Sequence, residues 1–174
     1  FTNGILAAQW LSNVLNEDGV VEQNELMAKI ADPDDPHRKY LTGDVLPMLH
    51  DLFALPGELY LALYELEDEE LETLLVANAA RLHVILANTG PGTGVHKAKW
   101  DLRNKASRKR LIDAGVDIQH RMFNNSTHIG HNKFVVHVPP AAPGHPPAAP
   151  RSVFTGSTNW TSTGVAGQTN NALW

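Results

Sequence analysis

Two short runs in this 174-residue chain carry side chains able to do chemistry at phosphorus. The first is His131-Asn132-Lys133. The second, beyond a proline-rich gap, is Gly156-Ser157-Thr158-Asn159-Trp160. On a β-strand, residues i and i+2 point to one face. His131 and Lys133 therefore share a face, and Ser157 and Asn159 repeat the spacing on a strand-like run over 152–159. One imidazole, one ammonium, one hydroxyl and one amide then meet on a common surface. Such a set can attack a phosphorus centre and hold its charged oxygens.

The elements that must position these groups follow from the hydrophobic pattern. Residues 4–16 and 20–31 read as amphipathic helices, and 31–36 as a turn or linker rich in Asp and Pro. Thr42 is placed to cap a helix over 43–55, stopped by Pro56-Gly57. An apolar run at 59–64 reads as a buried strand, 68–80 as an acidic-faced helix, and 82–87 as a second buried strand. Residues 99–114 form a basic helix ended by Gly115. Strands follow at 116–122 and 131–138. Six of the twelve residues over 139–150 are proline, so this stretch is an irregular, extended loop. Strands alternating with helices predict an α/β fold, a mixed β-sheet flanked by helices. The expected division is an α-helical preface over 1–42 and one domain over 43–174, truncated at its C-terminus.

Bulk properties narrow the function classes. The chain has no Cys, which excludes disulfides and thiolate metal sites. No apolar run reaches the roughly 18 residues a membrane span needs, and no secretory leader is visible. A cytoplasmic location is the expectation. Residues 1–90 hold 16 acidic side chains against 4 Lys and Arg, and residues 91–174 hold 3 against 10; together they give the net charge of −5. The basic half contains the two motifs, which suits a phosphate-bearing substrate.

His131-x-Lys133, Gly156-Ser157-x-Asn159-Trp160 and Gln168-Thr169-Asn170-Asn171 resemble the signature of the phospholipase D superfamily. The order of the elements before them is also similar, over residues 59–174. The resemblance implies a phospholipase D-like sandwich and a metal-independent phosphodiesterase that needs no cofactor. In it, His131 is the nucleophile and forms a phosphohistidine. Lys133 and Asn159 hold the non-bridging oxygens, with Ser157 supporting them. A second histidine, from a homodimer or from further chain, protonates the leaving group. Trp160, Asn170, Lys105 and Arg108 are expected on the substrate side. Two positions depart from the pattern. The Asp expected seven residues after the histidine is Val138, and the acid expected eleven residues after Asn159 is Asn170.

The substrate stays open on sequence grounds. Lys97, Lys99, Arg103, Lys105, Arg108, Lys109 and Arg110 favour nucleic acid over lipid, while Val138 and Asn170 leave room for a weakly active phosphate-binding module. Other signals are discounted. Asn16-Glu17-Asp18-Gly19 mimics part of a calcium loop, but its first ligand position is Val14. Gly90 to Gly94 lacks the spacing of a nucleotide-binding loop. His120, His128, His131, His137 and His145 match no compact ligand motif, so no metal is assigned; His137 and His145 read as loop or strand-edge residues. The overlapping glycosylation sequons at Asn124 to Thr127 read as an exposed loop.

Overall fold

A computed structural model describes residues 23–87, 103–121 and 130–174. The expected helix over 4–16, the calcium-like turn, the loop at Gly90, Lys97, Lys99, Trp100, His128 and the sequons lie outside the described residues. Among the described residues, three helices come first: α1 (Gln23–Ala31), α2 (Pro36–Thr42) and α3 (Val45–Ala54). Then follow β1 (Glu58–Leu63), α4 (Glu69–Ala77), β2 (Leu82–Ala87), α5 (Lys105–Asp113), β3 (Asp117–Arg121), β4 (Lys133–Val138), β5 (Ser152–Gly156) and β6 (Ala172–Leu173). A π-type turn, Thr163–Gly167, precedes β6.

The strands form one six-stranded mixed sheet in the order β3-β2-β1-β4-β5-β6. β1, β2 and β3 run parallel, as crossovers through α4 and α5 require. β4 is antiparallel to β1, and β5 and β6 continue antiparallel. The α/β reading is thus correct.

Side-chain alternation sorts the sheet into two unlike faces. Leu59, Leu61, Leu63, Leu82, Val84, Leu86, Val135 and Phe154 lie on one face and are buried. Leu49, Leu52 and Phe53 of α3, Leu71 and Leu75 of α4, and Leu111 of α5 join them in a single core. The opposite face shows Tyr60 and Val153 to solvent. There His83 stacks on Tyr60, with ring centroids 4.4 Å apart, and lies 3.0 Å from Asp117 and 3.2 Å from Glu58. A shallow apolar pocket of about 310 Å³ beside this cluster is lined by Tyr60, Ala62, Ile85 and Phe134. None of the motif residues lines it.

Several boundaries differ from the sequence reading. The segment taken for a linker contains the start of α2: the Asp35 side chain accepts the His37 amide at 2.7 Å and Pro36 opens the helix. Thr42 ends that helix instead of capping the next, whose N-cap position is Asp44. Ile30 and Leu41 sit in the same core as the sheet, so α1 and α2 are packed against it. Arg38, fully buried, pairs with Asp68 at 2.9 Å and Glu70 at 3.1 Å. Residues 139–150 are irregular and exposed, as their prolines dictate.

Candidate functional site

Strand direction brings the two motifs to one end of the sheet. Lys133 opens β4 and pairs with Leu63, the last residue of β1. Antiparallel β5 ends beside it at Gly156, with Phe134 opposite Thr155. This is the carboxyl end of β1, where the parallel half of the sheet meets the antiparallel half, a place where open α/β sheets commonly form crevices.

Lys133 lies on the buried face, at the end of the strip formed by Val135 and His137, and is 5% exposed. His131 precedes the strand and is exposed. The Lys133 ammonium donates to the His131 carbonyl at 3.3 Å. Both side chains lie against Tyr64: the His131 ring meets it edge-on at 4.7 Å, and Lys133 Nζ sits 5.2 Å from its centre. A cation–π contact is worth ~0.5–2 kcal/mol, whereas removing an ammonium from water costs several. Burial therefore pushes Lys133 below the ordinary lysine value, against the pull of the Glu65 carboxylate. His131 is also lowered, first by desolvation of its ring and then by the Lys133 charge, again opposed by Glu65. The result is an imidazole biased towards its neutral, nucleophilic form beside a fixed cation.

The second motif is not the continuous strand expected over 152–159. β5 stops at Gly156, and Ser157 to Asn159 form an irregular turn. A Cβ on Gly156 would lie 2.1 Å from the Asn171 carbonyl oxygen, so glycine lets β6 approach. The Ser157 hydroxyl donates to Asn170 Oδ1 at 2.9 Å and accepts the Asn171 amide at 3.1 Å. Asn170 Nδ2 donates to the Gly164 carbonyl at 2.7 Å. Asn170 thus fastens this turn to the next one. Asn159 Oδ1 is buried without a hydrogen-bond partner among the described residues.

Two of the residues expected on the substrate side, Trp160 and Arg108, are engaged in the fold. Trp160 is completely buried against Phe53, with ring centres 6.5 Å apart, so it is a core residue and not a stacking platform. Its backbone does the positioning: its amide donates to the Glu65 carbonyl at 3.2 Å, and its carbonyl accepts from Glu67 at 2.9 Å and Asp68 at 3.1 Å. Arg108 reaches the Leu86 and Ala87 carbonyls at 3.3 and 3.1 Å, tying α5 to the end of β2. Lys105 is exposed at the start of α5. His137 is neither loop nor edge. It is buried on central β4, with Nε2 2.9 Å from the Pro56 carbonyl.

Three residues around the site were not singled out from the sequence. Tyr64 contacts both His131 and Lys133. Asn104, fully buried, accepts the Leu66 amide at 3.0 Å and donates to Tyr64 and Ala87 carbonyls at 2.8 and 2.7 Å. Glu65 pairs with Arg103 at 2.6 Å. The available signal was position: Tyr64 and Glu65 directly follow a buried parallel strand.

Comparison with known proteins finds no matching family model and no matching curated protein. Among solved structures, the chain is similar to Nuc from Salmonella typhimurium, a phospholipase D family member, at 16% identity. The match covers 74% of this chain and 71% of that one, with a TM-score of 0.47.

Proposed function

We propose that the chain is a phosphodiester hydrolase of the phospholipase D-like type. The observation that carries this reading is the His131–Lys133 pair at the end of the sheet. A histidine biased to neutrality stands beside a buried ammonium, and the second motif begins where the neighbouring strand β5 ends. The His131 imidazole attacks phosphorus, forming a P–N bond as the bond to the leaving oxygen breaks. Lys133 and the Asn159 amide donate to the non-bridging oxygens and stabilise the added charge. Ser157 supports them by ordering the turn through Asn170 and Asn171. Water then cleaves the phosphohistidine and restores the imidazole. The leaving oxygen needs a proton, which a second histidine from a matching half supplies, in a homodimer or from further chain. The fixed ammonium provides the positive charge a metal would otherwise bring, so turnover is expected to survive chelators.

Nucleic acid is the favoured substrate over a lipid head group, because the half of the chain carrying the motifs is strongly basic. A second reading, a phosphate-binding module without turnover, draws on Val138 and on the amide at Asn170. The test is to compare wild type with His131→Ala on a chromogenic phosphodiester, a DNA oligonucleotide and phosphatidylcholine vesicles. Wild type is expected to turn over and to yield an acid-labile phospho-adduct. The variant should give neither while melting at the same temperature. Phosphate binding without an adduct would favour the second reading, and full turnover by His131→Ala would refute the mechanism.

A further inference from the structure

We infer that Tyr64 is a positioning residue: its single ring sets the place of both the His131 imidazole and the Lys133 ammonium. This rests on the phosphodiesterase reading and deepens it, since Tyr64 belongs to neither motif.

Tyr64 stands one residue beyond β1. The last ladder pair of β1 with β4 is Leu63 with Lys133. Continuing that antiparallel register by one step brings Tyr64 to Asn132, midway between the two motif residues. Its ring meets both of them. The His131 ring lies 4.7 Å away between centroids, with the two planes 64° apart. Aromatic pairs favour this edge-to-face arrangement, because the positive edge of one ring meets the negative face of the other. Lys133 Nζ lies over the same ring, 5.2 Å from its centre, and is attracted by the same negative face. The ammonium also donates to the His131 carbonyl at 3.3 Å. The three residues therefore close a triangle in which each holds the other two.

Both motif side chains need such a support. His131 lies before β4, outside the ladder, so strand pairing does not fix its ring. A lysine has a long, freely rotating stem, and holding its end still costs entropy. The support is itself rigid. The Tyr64 carbonyl accepts from Asn104 Nδ2 at 2.8 Å, and the same amide nitrogen reaches the Ala87 carbonyl at 2.7 Å. The buried Asn104 thereby ties the end of β1 to the end of β2. Its Oδ1 accepts the Leu66 amide at 3.0 Å, and the Trp160 amide donates to the Glu65 carbonyl at 3.2 Å. The backbone is thus pinned at Tyr64 and at the two residues after it. Reacting groups held this way are set before substrate arrives. Both contacts are made by the ring and neither by the hydroxyl, so Phe should replace Tyr64 and Leu should not.

The experiment compares Tyr64→Phe and Tyr64→Leu in the full chain. NMR follows the His131 ring protons and the Lys133 ε-methylene, which a neighbouring aromatic ring shifts; His131 is assigned by its absence in His131→Ala. Steady-state kinetics on an anionic diester run beside it, with melting temperature as the fold control. Tyr64→Leu should move both sets of resonances, raise KM and lower kcat by about 10²-fold, the order expected for a misplacement of about 1 Å. Tyr64→Phe should keep the shifts and the rate near wild type. Unmoved resonances or wild-type kcat/KM in a folded Tyr64→Leu protein overturns the inference. If Tyr64→Leu does not fold, Tyr64→Phe decides: retained shifts and turnover support the role of the ring, and loss of either refutes it. The NMR readout needs no turnover. An inactive wild type whose resonances still move in Tyr64→Leu would retire the phosphodiesterase reading and leave the positioning by Tyr64 standing.

Discussion

At the residue scale, the site depends on two side chains held away from their ordinary protonation behaviour. In the proposed mechanism His131 attacks only when neutral, and its value in the fold lies below the usual 6.5. The rate should therefore persist to lower pH than an ordinary histidine would allow. In the same proposal Lys133 holds the oxyanions only when charged, and its value lies below the usual 10.5. Its contribution is lost earlier as pH rises. A profile of kcat/KM against pH should be a bell displaced to the acid side, with its acid limb below about 6.5. An acid limb clearly above that value would mean that something other than His131 sets it. The two motifs were legible in sequence because i, i+2 spacing and residue type are local properties. Tyr64, Glu65 and Asn104 were not, because their importance arises only when distant segments meet at the sheet end. Trp160 shows the converse: its type suits either stacking or core packing, and burial assigns it to the core.

At the scale of elements, strands were easier to read than the turns that aim the site. The apolar run at 82–87 gave β2 its bounds, whereas the run at 152–159 was read too long. Nothing local announced that β5 ends at Gly156 to admit β6. The start signal of α2 was present in Asp35-Pro36, but it was masked by an Asp- and Pro-rich context that also suits a turn. The π-type turn Thr163–Gly167 was equally invisible, although it presses on the site. A Cβ on Gly164 would lie 2.3 Å from the Asn159 carbonyl oxygen and 3.0 Å from Asn159 Cβ. Gly164→Ala should therefore displace Asn159, and a misplacement near 1 Å can cost ~10²-fold in rate. Gly167→Ala is the control, since its new Cβ would meet nothing nearer than 3.5 Å. Comparing kcat/KM and melting temperature of the two variants checks this. Full turnover by Gly164→Ala would remove Asn159 from the mechanism.

At the scale of the whole molecule, the charge asymmetry of the sequence proves to be partly an internal one. Arg103 pairs with Glu65 at 2.6 Å and Arg110 with Glu72 at 2.9 Å, so basic residues around α5 hold the acidic segment after β1. Arg38 does the same from α2, with less solvent. Its guanidinium reaches Asp68 and Glu70 and also donates to the Ile30 carbonyl at 2.7 Å. Asp68 in turn caps α4 through the Leu71 amide at 3.2 Å and accepts from Ser162 at 3.0 Å, two residues beyond Trp160. One buried pair thus joins the N-terminal helices, the crossover helix and the loop that follows the second motif. Exposed pairs contribute little, but removing one partner of a buried pair strands the other charge and costs about 3–5 kcal/mol. Arg38→Ala should therefore lower the urea midpoint by a corresponding amount, a large fraction of a typical domain's stability. Lys109→Ala, which loses only an exposed pair with Asp113, should leave the midpoint nearly unchanged. Activity of Arg38→Ala measured well below its melting temperature separates two consequences. If the network only stabilises, the surviving folded fraction should turn over at the wild-type rate per molecule. If it also sets the position of Asn159 through Ser162 and Trp160, kcat per folded molecule should fall. The route Asp68–Ser162 and Asp68–Trp160 makes the second outcome the expected one.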